Sequence, residues 1–132
     1  MPNLPNVFET LKTIMKTVEK QLVLKCDEPG RYYLDTHRVR ADGYVFAFGG
    51  VEIEKNYVSY HLMPVYTHPE LLEDVSATLK KRMQGKSCFN FTKIDADVLK
   101  ELEALTVRGR AALTEADFAS GADSLSYEKE PF

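Results

Sequence analysis

The sequence predicts an α+β domain in which a roughly five-stranded antiparallel sheet packs against three helices, in the order α-β-β-β-β-α-β-α. Two observations predict this class. Apolar residues recur at three- and four-residue steps in three stretches, which is typical of amphipathic helices. Short β-prone runs are separated by turn residues, and strands joined by short turns pair antiparallel because parallel pairing needs a long crossover. Such a sheet buries one face against helices.

The length and composition fit one domain with its own core. The chain has 132 residues, of which 44% are hydrophobic, so we expect a single domain over residues 1–120 and a polar tail over 121–132. The net charge is −3. This balance argues against a nucleic-acid partner, because neutralising phosphates needs a surplus of Lys and Arg.

The two cysteines predict a reducing compartment. Cys26 and Cys88 lie far apart in the sequence and lack the spacing of a zinc or redox motif. No apolar run reaches membrane-spanning length, and the first residues do not resemble a signal peptide. We therefore expect a cytoplasmic chain with no membrane partner.

The first half predicts one helix and three strands. Residues 5–20 carry an apolar stripe with lysines on the opposite side. Strands are expected over 22–26 and 31–36, joined by a turn at 27–30, and residues 37–43 are expected to be a loop or a frayed strand end. A third strand is expected over 44–54, and its first part, 44–48, is apolar on both faces. The paired Gly49 and Gly50 inside it indicate a bulge or a close backbone approach.

The second half is organised by a strand that leads into a helix. The strand covers Tyr57 to Val65, and the helix is expected to begin with a capping box of Thr67 and Glu70 and to end near Gly85. A fifth strand follows over 87–91. The last helix is expected to begin after Asp95, with Gly109 as a candidate break, and a further short helix is expected from Thr114 and Asp117.

Aromatic side chains on both sides of the strands raise the question of what covers the second sheet face. Three helices cover mainly one face of a five-stranded sheet. The other face is then covered by loops and the C-terminal segment, by a second copy of the chain, or by a ligand. The sequence leaves these alternatives open.

The first functional hypothesis is a non-catalytic binding module that uses this face and the loop beside it. Arginines in the loop would hold a small anionic ligand by forked hydrogen bonds, and a homodimer is the other expected partner. The candidate ligand-binding residues are Tyr33, His37, Arg38, Arg40, Tyr57, Ser59 and His61.

Two alternatives use the same part of the chain. A metal-delivery protein, carrying iron or another metal, would use His61, His68 and nearby carboxylates. A small enzyme would use His37, Arg38, Tyr33 and His61. Neither cysteine lies in a motif of nucleophilic catalysis, and no carboxylate lies in a setting that raises its pKa, so we name no catalytic residue and no cofactor.

Two short motifs flank the second predicted helix: NYVSYHL at 56–62 before it and GKSCFNF at 85–91 after it. In this arrangement, residues 40–112 resemble the YdhG-like family of small bacterial domains. The resemblance implies an α+β fold comparable to frataxin. An iron-chaperone role attached to part of that family implies iron as a candidate cargo. The chain departs from the family where a YG-x-P segment is expected before Gly43, and its first helix is basic where a frataxin-like iron surface needs clustered acids.

Overall fold

The structure is a computed structural model that describes residues 3–39 and 41–112, with Arg38 and Val39 as backbone alone. The α+β class and the antiparallel sheet are confirmed. The strands are β1 (Val23–Glu28), β2 (Arg31–Val39), β3 (Val45–Ile53), β4 (Val58–Leu62) and β5 (Cys88–Phe91). The helices are α1 (Leu4–Lys16), α2 (Pro64–Thr67), α3 (Ala77–Lys80) and α4 (Ala96–Ala112), with 3₁₀ turns at Glu19–Gln21 and Pro69–Leu72.

The sheet is a simple meander in the order β1-β2-β3-β4-β5, and each strand pairs antiparallel with the next. The β1–β2 turn passes through Gly30, whose φ of 78° favours glycine. In β3 the register against β2 shifts between Leu34 and Asp35. The bulge expected near Gly49 and Gly50 is therefore confirmed.

One continuous core fills the space between the sheet and the helices. The apolar stripe of α1 (Val7, Phe8, Leu11, Ile14 and Met15) is buried. Within the core, the Tyr60 hydroxyl donates to Thr106 Oγ1 at 2.6 Å, and Thr106 donates to the Leu102 carbonyl at 2.8 Å. The sheet side chains in this core are Tyr32, Leu34, Phe48, Val51, Val58, Tyr60, Leu62, Phe89 and Phe91.

The prediction of a single helix from Thr67 to Gly85 is wrong. The segment contains α2, a 3₁₀ turn and α3 instead. Pro69 at the start of the 3₁₀ turn has no N–H to donate and keeps His68 out of the helical region, at φ −129° and ψ 70°. Thr67 does not form a capping box, since its hydroxyl donates to the Pro64 carbonyl at 3.2 Å.

The cap of this region is Ser76. Its hydroxyl accepts from the Leu79 N–H at 3.2 Å at the start of α3. The Ser76 N–H donates to Glu101 Oε2 at 2.8 Å. A carboxylate from α4 therefore fixes the short α3 in place, which a periodicity in the sequence does not reveal.

Smaller differences occur at element ends. The first helix ends at Lys16 rather than near residue 20, and β2 extends through residues 37–39. The cap at Asp95 is confirmed by bonds from the Asp97 and Val98 N–H groups. Gly109 does not break α4; a Cβ there would lie 3.1 Å from Pro64 Cβ, so glycine permits close packing of α4 on α2. The helix expected at Thr114 and the polar tail lie outside the described residues.

Candidate functional site

The sheet face opposite the core, which we call the outer face, carries two rows of directly paired residues. Side chains alternate along a strand, so residues in register share one face. In the described chain all four helices belong to the other side of the sheet. The first row is Glu28, Arg31, Glu52, Ser59 and Asn90, and the second is Cys26, Tyr33, Gly50, His61 and Cys88.

Gly50 places Tyr33 at the centre of the outer face. A Cβ built on Gly50 would overlap the Tyr33 ring, so the ring lies against the bare backbone of β3. Tyr33 is only 7% exposed, although it belongs to the face without helices. A glycine covered by a cross-strand aromatic ring is a known way of completing a sheet surface.

The Tyr33 side chain is fixed at both ends. Its hydroxyl donates to Glu52 Oε1 at 2.6 Å, and the Arg31 guanidinium lies 5.3 Å from its ring centroid. Burial, together with the bond to Glu52, raises the pKa of the Tyr33 hydroxyl above its usual value. Tyr33 is therefore a neutral donor with a defined direction.

His61 connects Tyr33 to the fifth strand. The Tyr33 and His61 rings lie with centroids 6.2 Å apart. His61 Nε2 lies 4.0 Å from Cys88 Sγ, across the direct β4–β5 pair. Burial lowers the pKa of His61, against the opposing effect of Glu52. The imidazole is consequently held in its neutral form.

The Asn90 side chain accepts hydrogen bonds from two further residues of the cluster. Its Oδ1 accepts from the Ser59 hydroxyl at 3.3 Å and from the Cys88 thiol at 3.5 Å. Burial raises the pKa of Cys88, so the sulfur is a protonated thiol. These bonds join β4 and β5 through side chains as well as through the backbone.

The described charges around this cluster are mainly acidic. Glu28 and Glu52 share a row with a single cation, Arg31. The carboxylate of Glu54 also raises the pKa values of Tyr33 and Cys88. Among these described residues the carboxylates outnumber the cation.

The structure brings together three of the predicted ligand-binding residues: Tyr33, Ser59 and His61. Tyr57 is half-buried and lies immediately before β4, two residues from Ser59. His37 is exposed and lies four residues beyond Tyr33 on β2, which is about 13 Å along a strand. The Arg38 side chain and Arg40 lie outside the described structure.

The second residue of the predicted metal pair has a different neighbour. His68 lies between α2 and the 3₁₀ turn, and its Nδ1 is 2.9 Å from Thr67 Oγ1. His61 instead neighbours Cys88. Within residues 3–39 and 41–112, no group of three or more His, Cys, Asp and Glu side chains is arranged to hold a metal ion.

Three residues of the cluster were not predicted from the sequence: Glu52, Cys88 and Asn90. The alternation in β5 separates Cys88 and Asn90 from Phe89 and Phe91, and this signal is readable in the sequence. What the sequence does not contain is the register that pairs Cys88 with His61 and Asn90 with Ser59.

No helix among the described residues is long and apolar enough to cross a membrane. Comparison of the chain with protein-family models, curated proteins and solved structures gives no match. The resemblance to the YdhG-like family therefore stays an expectation.

Proposed function

We propose that this chain is a non-catalytic binding module that takes a segment of another protein on its outer face. One observation carries the proposal: amphipathic and polar side chains are linked across β2 to β5 on the sheet face opposite the helices. Tyr33, His61 and Asn90 are the centre of this cluster. Side chains with an apolar body and a polar tip are enriched in interfaces, where one end is dry and the other is wet.

The shape of the face favours a polypeptide over a small molecule. Small-ligand sites are concave and enclose most of the ligand. At the centre of the outer face, the space above Gly50 is filled by the Tyr33 ring. A sheet face whose centre is filled by a side chain is better suited to contact with an extended partner.

The charge of the face favours a basic segment. Glu28, Glu52 and Glu54 outnumber Arg31 around the cluster, and complementary charge accelerates encounter and selects partners. A small anionic ligand held by Arg38 and Arg40 is the alternative, and it would use the loop end of β2 rather than the Tyr33 cluster.

The polar character of the cluster favours a transient partner over a permanent one. Permanent homodimer interfaces resemble an apolar core cut in half. The partly exposed His61 and Asn90 instead place polar atoms on this face. A second copy of the chain is therefore a competing occupant rather than the proposed one.

The protonation states support a binding role over nucleophilic catalysis. A catalytic cysteine acts as a thiolate, and its pKa is lowered by neighbouring positive charge. Burial raises the pKa of Cys88 and lowers that of His61, so neither side chain carries charge near neutral pH. A thiol beside a neutral imidazole supports hydrogen bonding rather than attack on a substrate.

A peptide selection tests the proposal. A phage-displayed library of random peptides is selected against the whole chain, and dissociation constants are measured for the enriched peptides. We expect these peptides to be rich in Lys and Arg. Glu52→Gln should weaken their binding about tenfold or more, because it removes the negative charge next to Tyr33 and leaves only a neutral amide oxygen to accept the Tyr33 hydroxyl.

The matched control is Glu103→Gln, which removes one charge from the groove between α1 and α4 on the other side of the molecule. It should leave peptide binding unchanged. Equal binding to wild type and Glu52→Gln would contradict the proposal. A dimer in sedimentation that Glu52→Gln dissociates would assign the face to a second copy instead.

A further inference from the structure

The pair of Cys88 and His61 has a chemical capacity that a protein-binding role does not use. The two residues are direct partners on β4 and β5, and Cys88 Sγ lies 4.0 Å from His61 Nε2. Both side chains are half-buried on the outer face. A thiol sulfur and an imidazole nitrogen are both good ligands for soft and borderline metal ions.

The separation of the two atoms fits one ion placed between them. Zinc–sulfur and zinc–nitrogen bonds in proteins are about 2.3 and 2.0 Å, so one ion can hold these atoms at most about 4.3 Å apart. At tetrahedral angles the same bonds give about 3.5 Å. The observed 4.0 Å therefore corresponds to a wide sulfur–metal–nitrogen angle.

A wide angle and few ligands favour one class of ion. Structural zinc is closed by four protein ligands, and within residues 3–39 and 41–112 no third His, Cys, Asp or Glu completes such a set here. A monovalent soft cation accepts fewer ligands and prefers sulfur. We propose that Cys88 and His61 form a two-ligand site for cuprous ion, independently of the protein-binding role.

The surroundings support a cation at this point. Burial keeps His61 neutral, which is the form that binds metals. The Cys88 proton would leave to solvent as Sγ binds the ion, and the cation would stabilise the resulting thiolate. The carboxylate of Glu52 acts on His61, and that of Glu54 acts on Cys88, so both negative charges lie close enough to favour a bound cation.

The probe is cuprous ion supplied under argon to the full chain, with affinity measured by competition against a chromogenic cuprous chelator. We expect one ion per chain. Cys88→Ser and His61→Asn should each weaken binding about tenfold or more. The matched control is Cys26→Ser, because Cys26 is the other cysteine and belongs to the same row on β1, with three strands between it and Cys88. It should leave the affinity unchanged.

X-ray absorption at the copper edge gives a second readout that does not depend on how well the variants fold. In the wild-type chain we expect one sulfur and one imidazole nitrogen around the copper. Two sulfur ligands, undiminished affinity in His61→Asn, an equal loss in Cys26→Ser, or tighter binding of zinc than of cuprous ion would each overturn the proposal.

Discussion

At the scale of single residues, the buried carboxylate of Asp35 on β2 leads to a prediction about stability. It is 9% exposed, and its Oδ1 has no hydrogen-bond partner within the part of the chain that the structure describes. Burial raises the pKa of Asp35, opposed by the charge of Lys25, so the expectation that no carboxylate lies in such a setting is wrong. A carboxyl with a raised folded-state pKa destabilises the fold at any pH where it is ionised in both states.

Asp35→Asn should therefore stabilise the protein near neutral pH. We expect the free energy of unfolding to rise by about 1 kcal/mol, the lower end of the cost of an unsatisfied buried group. The gain should shrink as pH falls through the folded-state pKa and vanish below the unfolded value of 3.8. Urea unfolding across this pH range measures it. A variant less stable than wild type at neutral pH would contradict this account of Asp35.

The burial of His61 leads us to expect a pH dependence of the folding stability with the opposite sign. Its folded-state pKa lies below the ordinary 6.5 because of burial. As pH falls below 6.5, the unfolded chain binds this proton first, so stability falls with pH until the folded imidazole is protonated too. Above 6.5 the group is neutral in both states and contributes nothing to the pH dependence.

His61→Asn should remove this part of the pH dependence. The loss of stability between about pH 7.5 and about pH 5.5 should be smaller in the variant than in wild type, as measured by urea unfolding at both values. His37→Asn is the control, because His37 is exposed at the end of β2, and it should leave the difference unchanged. An identical pH dependence in wild type and His61→Asn would contradict the assigned burial.

At the scale of elements, the two neighbouring glycines of β3 differ in which atoms a larger side chain would overlap. A Cβ on Gly49 would overlap the backbone oxygen of His61 on β4, whereas a Cβ on Gly50 would overlap the Tyr33 ring. A side chain can rotate away, but a paired strand cannot move without losing its ladder. Both substitutions also overpack a buried region.

Gly49→Ala should therefore cost more stability than Gly50→Ala. We expect about 1–3 kcal/mol for Gly50→Ala, the usual range for overpacking, and a larger loss for Gly49→Ala. Gly50→Ala should also release the Tyr33 hydroxyl from Glu52, which appears as a change in the absorbance of a buried tyrosine. Thermal unfolding of both variants checks the order, and a reversed order would contradict the register of β3 and β4.

The elements also explain which parts of the fold can be predicted. The sheet and the two long helices follow from period-2 and period-3.6 patterns, which hold in α1, α4 and the strands. The segment after β4 has an apolar stripe too, but Pro69 interrupts the helix. The hydrogen bond between Ser76 and Glu101 stabilises the separate short helix α3 instead. A stripe reports which side chains are buried and not whether the helix is continuous.

At the scale of the whole molecule, the two faces of the sheet differ in what lies on them. In the described residues the helices share one side, and the outer face is polar and aromatic rather than apolar. The sequence predicted Tyr33, Ser59 and His61 because aromatic and histidine residues alternate on the strands. It could not predict Cys88 and Asn90 as their neighbours, because strand register depends on the folded chain.

The most direct test of the binding role is a nuclear magnetic resonance titration of the isotope-labelled chain with a basic peptide selected as described above. The predicted result is a set of amide shifts confined to the outer-face rows, centred on Tyr33, Ser59, His61, Cys88 and Asn90. Amides of α1 and α4 around Ile14 and Leu99, which line the groove on the other side, should not move. Shifts centred on that groove, with the outer face unchanged, would contradict the assignment of the outer face as the binding surface.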